Sequence, residues 1–270
     1  RHLREHRWVA TKLSHSRTDP DLGWEAVDRT IVEMIGAMAN QEGDFSVEDD
    51  RDLAWELATD LTRQLPDDLG DVSDFDGTSE HDGPLNRAIN HSYSKALETV
   101  IRLGWWEDRN LGQARSALVD LLDEALEVPG AVGAEMRAII ATNRRVLEHI
   151  ASDWMNRRVD DLFGGDLGPI TFEQTLAWDR PTPCFLGRFR QRLAVAALRG
   201  EAHAASWMLV GYLWEEPEYS VKNIIASLRS DIGAMNAAHE EIASLVQDRE
   251  PGDPLIARAL TFWDGLLDAD

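Results

Sequence analysis

The amino-acid sequence predicts an all-α protein, built as a stacked array of helical hairpins with irregular repeats. Three observations predict it. Apolar residues recur every three or four positions along almost the whole chain, the period of one helix face. Leu and Ala occur 31 times each, against 15 Val and 13 Ile. That balance favours helix, because straight-chain residues and Ala lose little rotamer freedom there. No run of alternating apolar and polar residues is flanked by hairpin turns.

Each element follows from local signals. Residues 1–13 read as a helix, and 22–39 carry the stripe Leu22, Val27, Ile31, Met34, Ile35 and Met38. Ser46 is an N-cap candidate followed by acids at 48–50, where the helix macrodipole favours negative charge. That helix carries Leu53, Trp55, Leu57, Leu61 and Leu65 and stops before Pro66. Residues 66–83 are rich in Asp and Gly and read as a flexible acidic loop. Pro84 suits the first turn of the next helix, since its missing N–H costs nothing there. Further helices are predicted over 84–106, 112–127, 132–140, 142–153, 155–163 and 171–178. Pro181 and Pro183 interrupt the chain, and helices resume over 184–199, 202–215, 219–229, 232–248 and 254–267.

About a dozen short helices with tight connections favour stacking, because a single pair cannot bury its apolar face alone. The expected form is a HEAT- or TPR-like α-solenoid without a strict repeat period. The ten Trp residues are scattered over most of the helices and read as packing residues. Residues 1–65 read as the N-terminal helices of the array, 66–83 as the acidic loop and 84–270 as its main region. The sequence begins on Arg1 rather than Met, so it reads as a piece of a longer protein.

Composition bounds the function. A net charge of −22 opposes general nucleic-acid binding, since phosphate backbones repel an acidic surface. Residues 40–82 hold 15 acidic residues against only Arg51 and Arg63. The balance reverses locally in residues 1–17 and in 180–199, where five arginines occur. Arg188 and Arg192 in the second patch are candidates for a local basic contact with a partner. Cys184 is the only cysteine, so no internal disulfide forms; this suits a reducing cytoplasm. The longest apolar stretch, Ala204–Trp214, is too short to span a bilayer, and no membrane partner is expected.

Signals for chemistry are weak. There is no Gly-x-x-x-x-Gly-Lys and no Gly-x-Gly-x-x-Gly to cradle phosphate. His239-Glu240-Glu241 lacks the second His of a zinc helix, since residue 243 is Ala. His2 and His6 share a helical face, but two imidazoles alone make a weak metal site. Asp74-Phe75-Asp76-Gly77 hints at calcium, yet with Gly77 as the turn glycine the first ligand would be Val72. Cys184 sits in an apolar helix start, a poor setting for a nucleophile. No catalytic residue, metal or cofactor is therefore expected. The rival readings are a helical metal-dependent hydrolase using Asp74, Asp76, His81 and Asp82, and a purely structural spacer.

The most shaped segment is Leu85–Ile101. Asn86, Asn90 and Ser94 fall four apart and are expected to share one polar helix face. Amides and a hydroxyl there can serve a neighbouring helix or a protein partner, because they offer donors and acceptors together.

A series of motifs points further. It comprises Leu85-Asn86-Arg87-Ala88-Ile89-Asn90-His91-Ser92, then Asn143-Arg144-Arg145-Val146-Leu147-Glu148-His149-Ile150, Asp153-Trp154-Met155 and Asp160-Asp161-Leu162-Phe163. Gln174-Thr175-Leu176-Ala177-Trp178-Asp179 and Phe185-Leu186-Gly187-Arg188-Phe189-Arg190 follow. Over about 84–200 this resembles the C-terminal helical array of large bacterial anti-phage defence proteins, in which an effector and often a signalling ATPase or sirtuin-like domain precede the helices. The resemblance implies a non-catalytic sensor or scaffold. Its partners would be a phage protein or the protein's own effector and ATPase domains, with homo-oligomers formed through the full-length protein.

Overall fold

The structure is a computed structural model. It describes residues 24–40, 48–75, 83–199, 201–214, 219–228 and 249–267, with residue pairs at 235–236, 239–240, 242–243 and 246–247. The protein is all-α, and no strand occurs among the described residues. The helices described are α1 (Trp24–Asn40), α2 (Glu48–Thr62), α3 (Pro84–Ala88), α4 (Ser92–Leu111), α5 (Ala117–Glu127), α6 (Gly130–Thr142) and α7 (Arg144–Ile150). They continue with α8 (Ser152–Leu162), α9 (Gly168–Trp178), α10 (Pro183–Leu198), α11 (Ala202–Leu213), α12 (Val221–Leu228) and α13 (Pro254–Leu267). The helix expected over 1–13 and much of that over 232–248 lie outside the described residues.

The chain divides into two compact units, Arg1–Thr175 and Leu176–Asp270. In the first unit α4 is the hub. Helices α1, α2, α5, α6 and α7 all pack against it. Its residues Ala96, Leu97, Val100, Ile101 and Leu103 are fully buried, and an apolar stripe this wide needs cover on more than one side. Here α1 and α2 lean mainly on α4 rather than on each other, which departs from nearest-neighbour stacking.

Two helix boundaries differ from the sequence reading for visible reasons. The helix expected over 84–106 is two helices. His91, at φ −98° and ψ 134°, is extended, and α4 starts anew at Ser92. Asn90 Nδ2 donates to the Asn86 carbonyl at 2.8 Å, the local side-chain bond with which Asn competes against regular helix. At the other end α4 runs past Trp106 to Leu111 and stops at Gly112, whose φ of 82° is left-handed.

The described part of the 66–83 loop is built. Asp68 and Asp71 side chains accept from the backbone N–H of Gly70 and Ser73, at 3.0 and 2.8 Å. A short 3-10 turn follows at Val72–Asp74. The Leu69 carbonyl accepts from Val132 N–H at 3.1 Å and the Gly70 carbonyl from Ala131 N–H at 3.4 Å. The loop thus satisfies the first-turn donors of α6, which a helix start otherwise leaves without partners.

In the second unit α10 and α11 form a packed pair, joined by α12 and α13. Phe185 meets Trp207 edge-on at 5.1 Å between ring centres, and the Tyr219 hydroxyl donates to the Leu186 carbonyl at 2.9 Å. Trp55, Trp154 and Trp207 are buried as packing residues, whereas Trp178 and Trp214 are exposed.

Candidate functional site

Two places gather the residues singled out by the sequence. The first is the break between α3 and α4. It swings His91 and Tyr93 toward Glu135 on α6. The Glu135 carboxylate is fully buried. Its Oε2 accepts from the Tyr93 hydroxyl at 2.6 Å and lies 2.7 Å from His91 Nδ1. Arg87 Nε stands 3.4 Å from Oε1, and its guanidinium lies 5.0 Å from the centre of the Phe75 ring. A buried carboxylate is tolerated only with such charge-assisted partners. In chemical terms a carboxylate bound to Nδ1 fixes the orientation of an imidazole. It also cross-links α3, α4 and α6 where the helix is interrupted.

This geometry corrects the expected polar face. Asn86, Asn90 and Ser94 do not share one surface, because the backbone departs from helix between the first and the last. Asn90 is exposed and bonded back to Asn86. Ser94 is fully buried, so it cannot meet a partner. His91, Tyr93 and Glu135 are the residues the sequence reading missed. A signal was present: Glu135 is the lone acid of Gly-Ala-Val-Gly-Ala-Glu-Met-Arg-Ala-Ile-Ile-Ala-Thr, otherwise almost wholly apolar. An acid in such a helix has to be paired.

Other ionic groups also serve packing. Glu107, buried on α4, accepts from Arg115 Nε at 2.6 Å, with Arg51 Nε 3.5 Å away. Arg115 also pairs with Asp52 and lies 5.2 Å from the Trp55 ring centre. Arg144, fully buried, donates to Glu148 at 2.7 Å. Arg137 donates to the carbonyls of Leu126, Asp161 and Leu162 at 3.1, 2.7 and 3.0 Å. It thereby caps the C-terminal ends of α5 and α8, where a cation opposes the helix dipole. Burial pushes its guanidinium below the usual value. A cleft of about 240 Å3 between α1 and α4 is bridged by the Lys95–Glu33 ion pair at 2.6 Å. Lys95 and Arg29 hold the Glu33 carboxyl below its ordinary value.

The second place is the outward face of α10. Thr182 caps it, its hydroxyl accepting from Phe185 N–H at 3.3 Å. A non-helical Phe189 kinks it. Phe185, Leu186, Leu193 and Ala197 face the core of the second unit. Beyond the kink Gln191, Val195 and Leu198, spaced four and three apart, form the opposite face and are exposed, and Cys184 and Arg188 are exposed before it. Val195 and Leu198 are 48% and 59% exposed. Arg192 is half-buried at the flank, and α10 contains no acid. Of the two arginines expected to meet a partner, Arg192 thus lies on the same helical segment as the solvent-facing apolar pair and Arg188 lies across the kink.

Asp76, His81 and Asp82 lie outside the described residues. Among the described residues no group of His, Cys, Asp and Glu is placed to hold a metal ion, and no helix is long and apolar enough to cross a membrane. Comparison with family models, with curated proteins and with solved structures finds no match for this chain.

Proposed function

We propose that this chain is a non-catalytic helical protein-interaction module whose docking surface is the outward face of α10. One observation carries the reading: two large aliphatic side chains stand in solvent between arginines, on a helix without acids, in a chain of net charge −22. Exposed apolar side chains rimmed by polar groups are the composition of a contact surface. Arg is enriched at such contacts because its planar head pairs carboxylates bidentately. The occupant is a protein surface that is acidic around an apolar centre.

The array form is proposed with it: irregular helical pairs stacked as in HEAT or TPR solenoids. Support comes from sequence neighbours that pack on each other, such as α5 with α6, α7 with α8 and α10 with α11. The resemblance over 84–200 supplies the first baits, a phage protein and the effector or ATPase domains that accompany such arrays.

Affinity purification from the native host tests the reading, comparing the natural chain with the double variant Val195→Glu, Leu198→Glu. Both side chains are exposed, so the melting temperature should change little. The expected result is a discrete set of proteins retained by the natural chain and lost from the variant. The same set on both proteins contradicts the reading.

A further inference from the structure

We infer that His91 is a protonation-operated clamp that holds the break between α3 and α4 against α6. The inference is independent of the α10 reading and concerns the first unit alone.

His91 takes the N-cap position of α4, yet its side chain makes no cap hydrogen bond. Its Nδ1 instead lies 2.7 Å from Glu135 Oε2 and 2.8 Å from the Tyr93 hydroxyl, which itself donates to Oε2 at 2.6 Å. Hydrogens decide how these atoms stand so close. A carboxylate oxygen and a bare ring nitrogen would repel at this distance, so Nδ1 carries a hydrogen whether the ring is neutral or charged. The proton that the ring gains or loses is therefore the one on Nε2. The His91 side chain is 31% exposed, so charging it does not carry the full cost of burial.

The groups around the ring favour the imidazolium. Glu135 is fully buried on α6, and its Oε1 takes no hydrogen bond among the described residues. Arg87 on α3 stands 3.4 Å from that oxygen with its guanidinium over the Phe75 ring, and so meets the carboxylate only in part. On α4, Tyr93 is neutral and Lys95 turns to Glu33 on α1 at 2.6 Å. In the 66–75 segment Asp71 accepts from the Ser73 N–H and hydroxyl, both at 2.8 Å. Arg87 and the N-terminus of α4 oppose a charged ring. The helix end amounts to only about half an elementary charge. A full negative charge 2.7 Å away outweighs it, and burial strengthens the attraction. Loss of the proton leaves a neutral Nδ1–H donor, which makes the weaker bond. A ring that binds its proton more tightly when folded stabilises fully below the unfolded value of about 6.5, and the gain fades as pH rises through the folded value. The clamp should therefore loosen from neutral to alkaline pH. Arg87 and Phe75 pass that change to the segment that caps α6.

NMR of the whole chain with 15N-labelled histidine tests the clamp, with His91→Gln identifying the resonances. The expected proton affinity of His91 is at least about tenfold above that of an ordinary imidazole, and the neutral ring should carry its hydrogen on Nδ1. Glu135→Gln keeps the shape, removes the charge and should return the midpoint to about 6.5 or lower. Tyr93→Phe leaves the charge pair intact and should keep the midpoint raised. If Glu135→Gln does not fold, denaturant midpoints of the natural chain and of His91→Gln, taken from about pH 5.5 to about pH 9, supply the test. The natural chain should then lose stability relative to the variant as pH rises. A His91 midpoint at or below the ordinary value, a neutral ring protonated on Nε2, or parallel stability curves would each overturn the inference.

Discussion

Gly130 shows how one residue fixes a junction. Its φ of 68° is left-handed, and a Cβ there would lie 2.4 Å from the Gly70 carbonyl oxygen. Gly130→Ala should therefore destabilise the first unit by about 2 kcal/mol or more, from backbone strain and lost approach of the loop. Chemical denaturation reads the change as a lower midpoint at unchanged slope. Glu135 is the second such residue. Glu135→Ala strands the Tyr93 hydroxyl, the His91 ring and Arg87, and should cost about 3–5 kcal/mol. Tyr93→Phe removes one donor to the same carboxylate and should cost less, about 1–3 kcal/mol. Equal losses from the two would mean that the carboxylate is not the centre of the cluster.

At the scale of elements, Arg137 ties α5 to α8 through three carbonyls. Arg137→Met keeps the stem and removes these bonds, with an expected cost of about 3 kcal/mol and earlier hydrogen exchange at both helix ends. The existence of most helices was legible in the sequence, because apolar spacing and Pro or Gly punctuation are local signals. What was not legible depended on distant residues. The Asn86, Asn90 and Ser94 spacing fits one helix face, but the backbone leaves helix at His91, whose ring bonds to Glu135 44 positions away. The 66–75 segment reads as loose from its Asp and Gly content, yet its carbonyls cap α6 across some 60 positions of chain. The basic character of α10 was legible from its arginines. Which of its faces looks outward was settled only by the burial of Phe185, Leu186 and Leu193.

For the whole molecule, the excess of acid sets the response to pH. The Arg63 guanidinium, donating to Glu124 through Nε and Nη2 at 2.7 and 2.8 Å, holds that carboxyl below its ordinary value of 4.5. Arg115 does the same for Asp52. A carboxyl depressed on folding stabilises the native state above its unfolded pKa, and the contribution fades as pH falls through the folded value. Stability should therefore decline below about pH 4.5, and Glu124→Gln should flatten that decline. Denaturant midpoints measured along a pH series check both statements. The most direct measurement is photo-crosslinking in the native host from a reactive group at position 195, compared with one at exposed Arg145 in the first unit. Discrete adducts from position 195 alone, on an acidic protein surface, are predicted. Equal labelling from both positions, or none from 195, would contradict a docking role for α10.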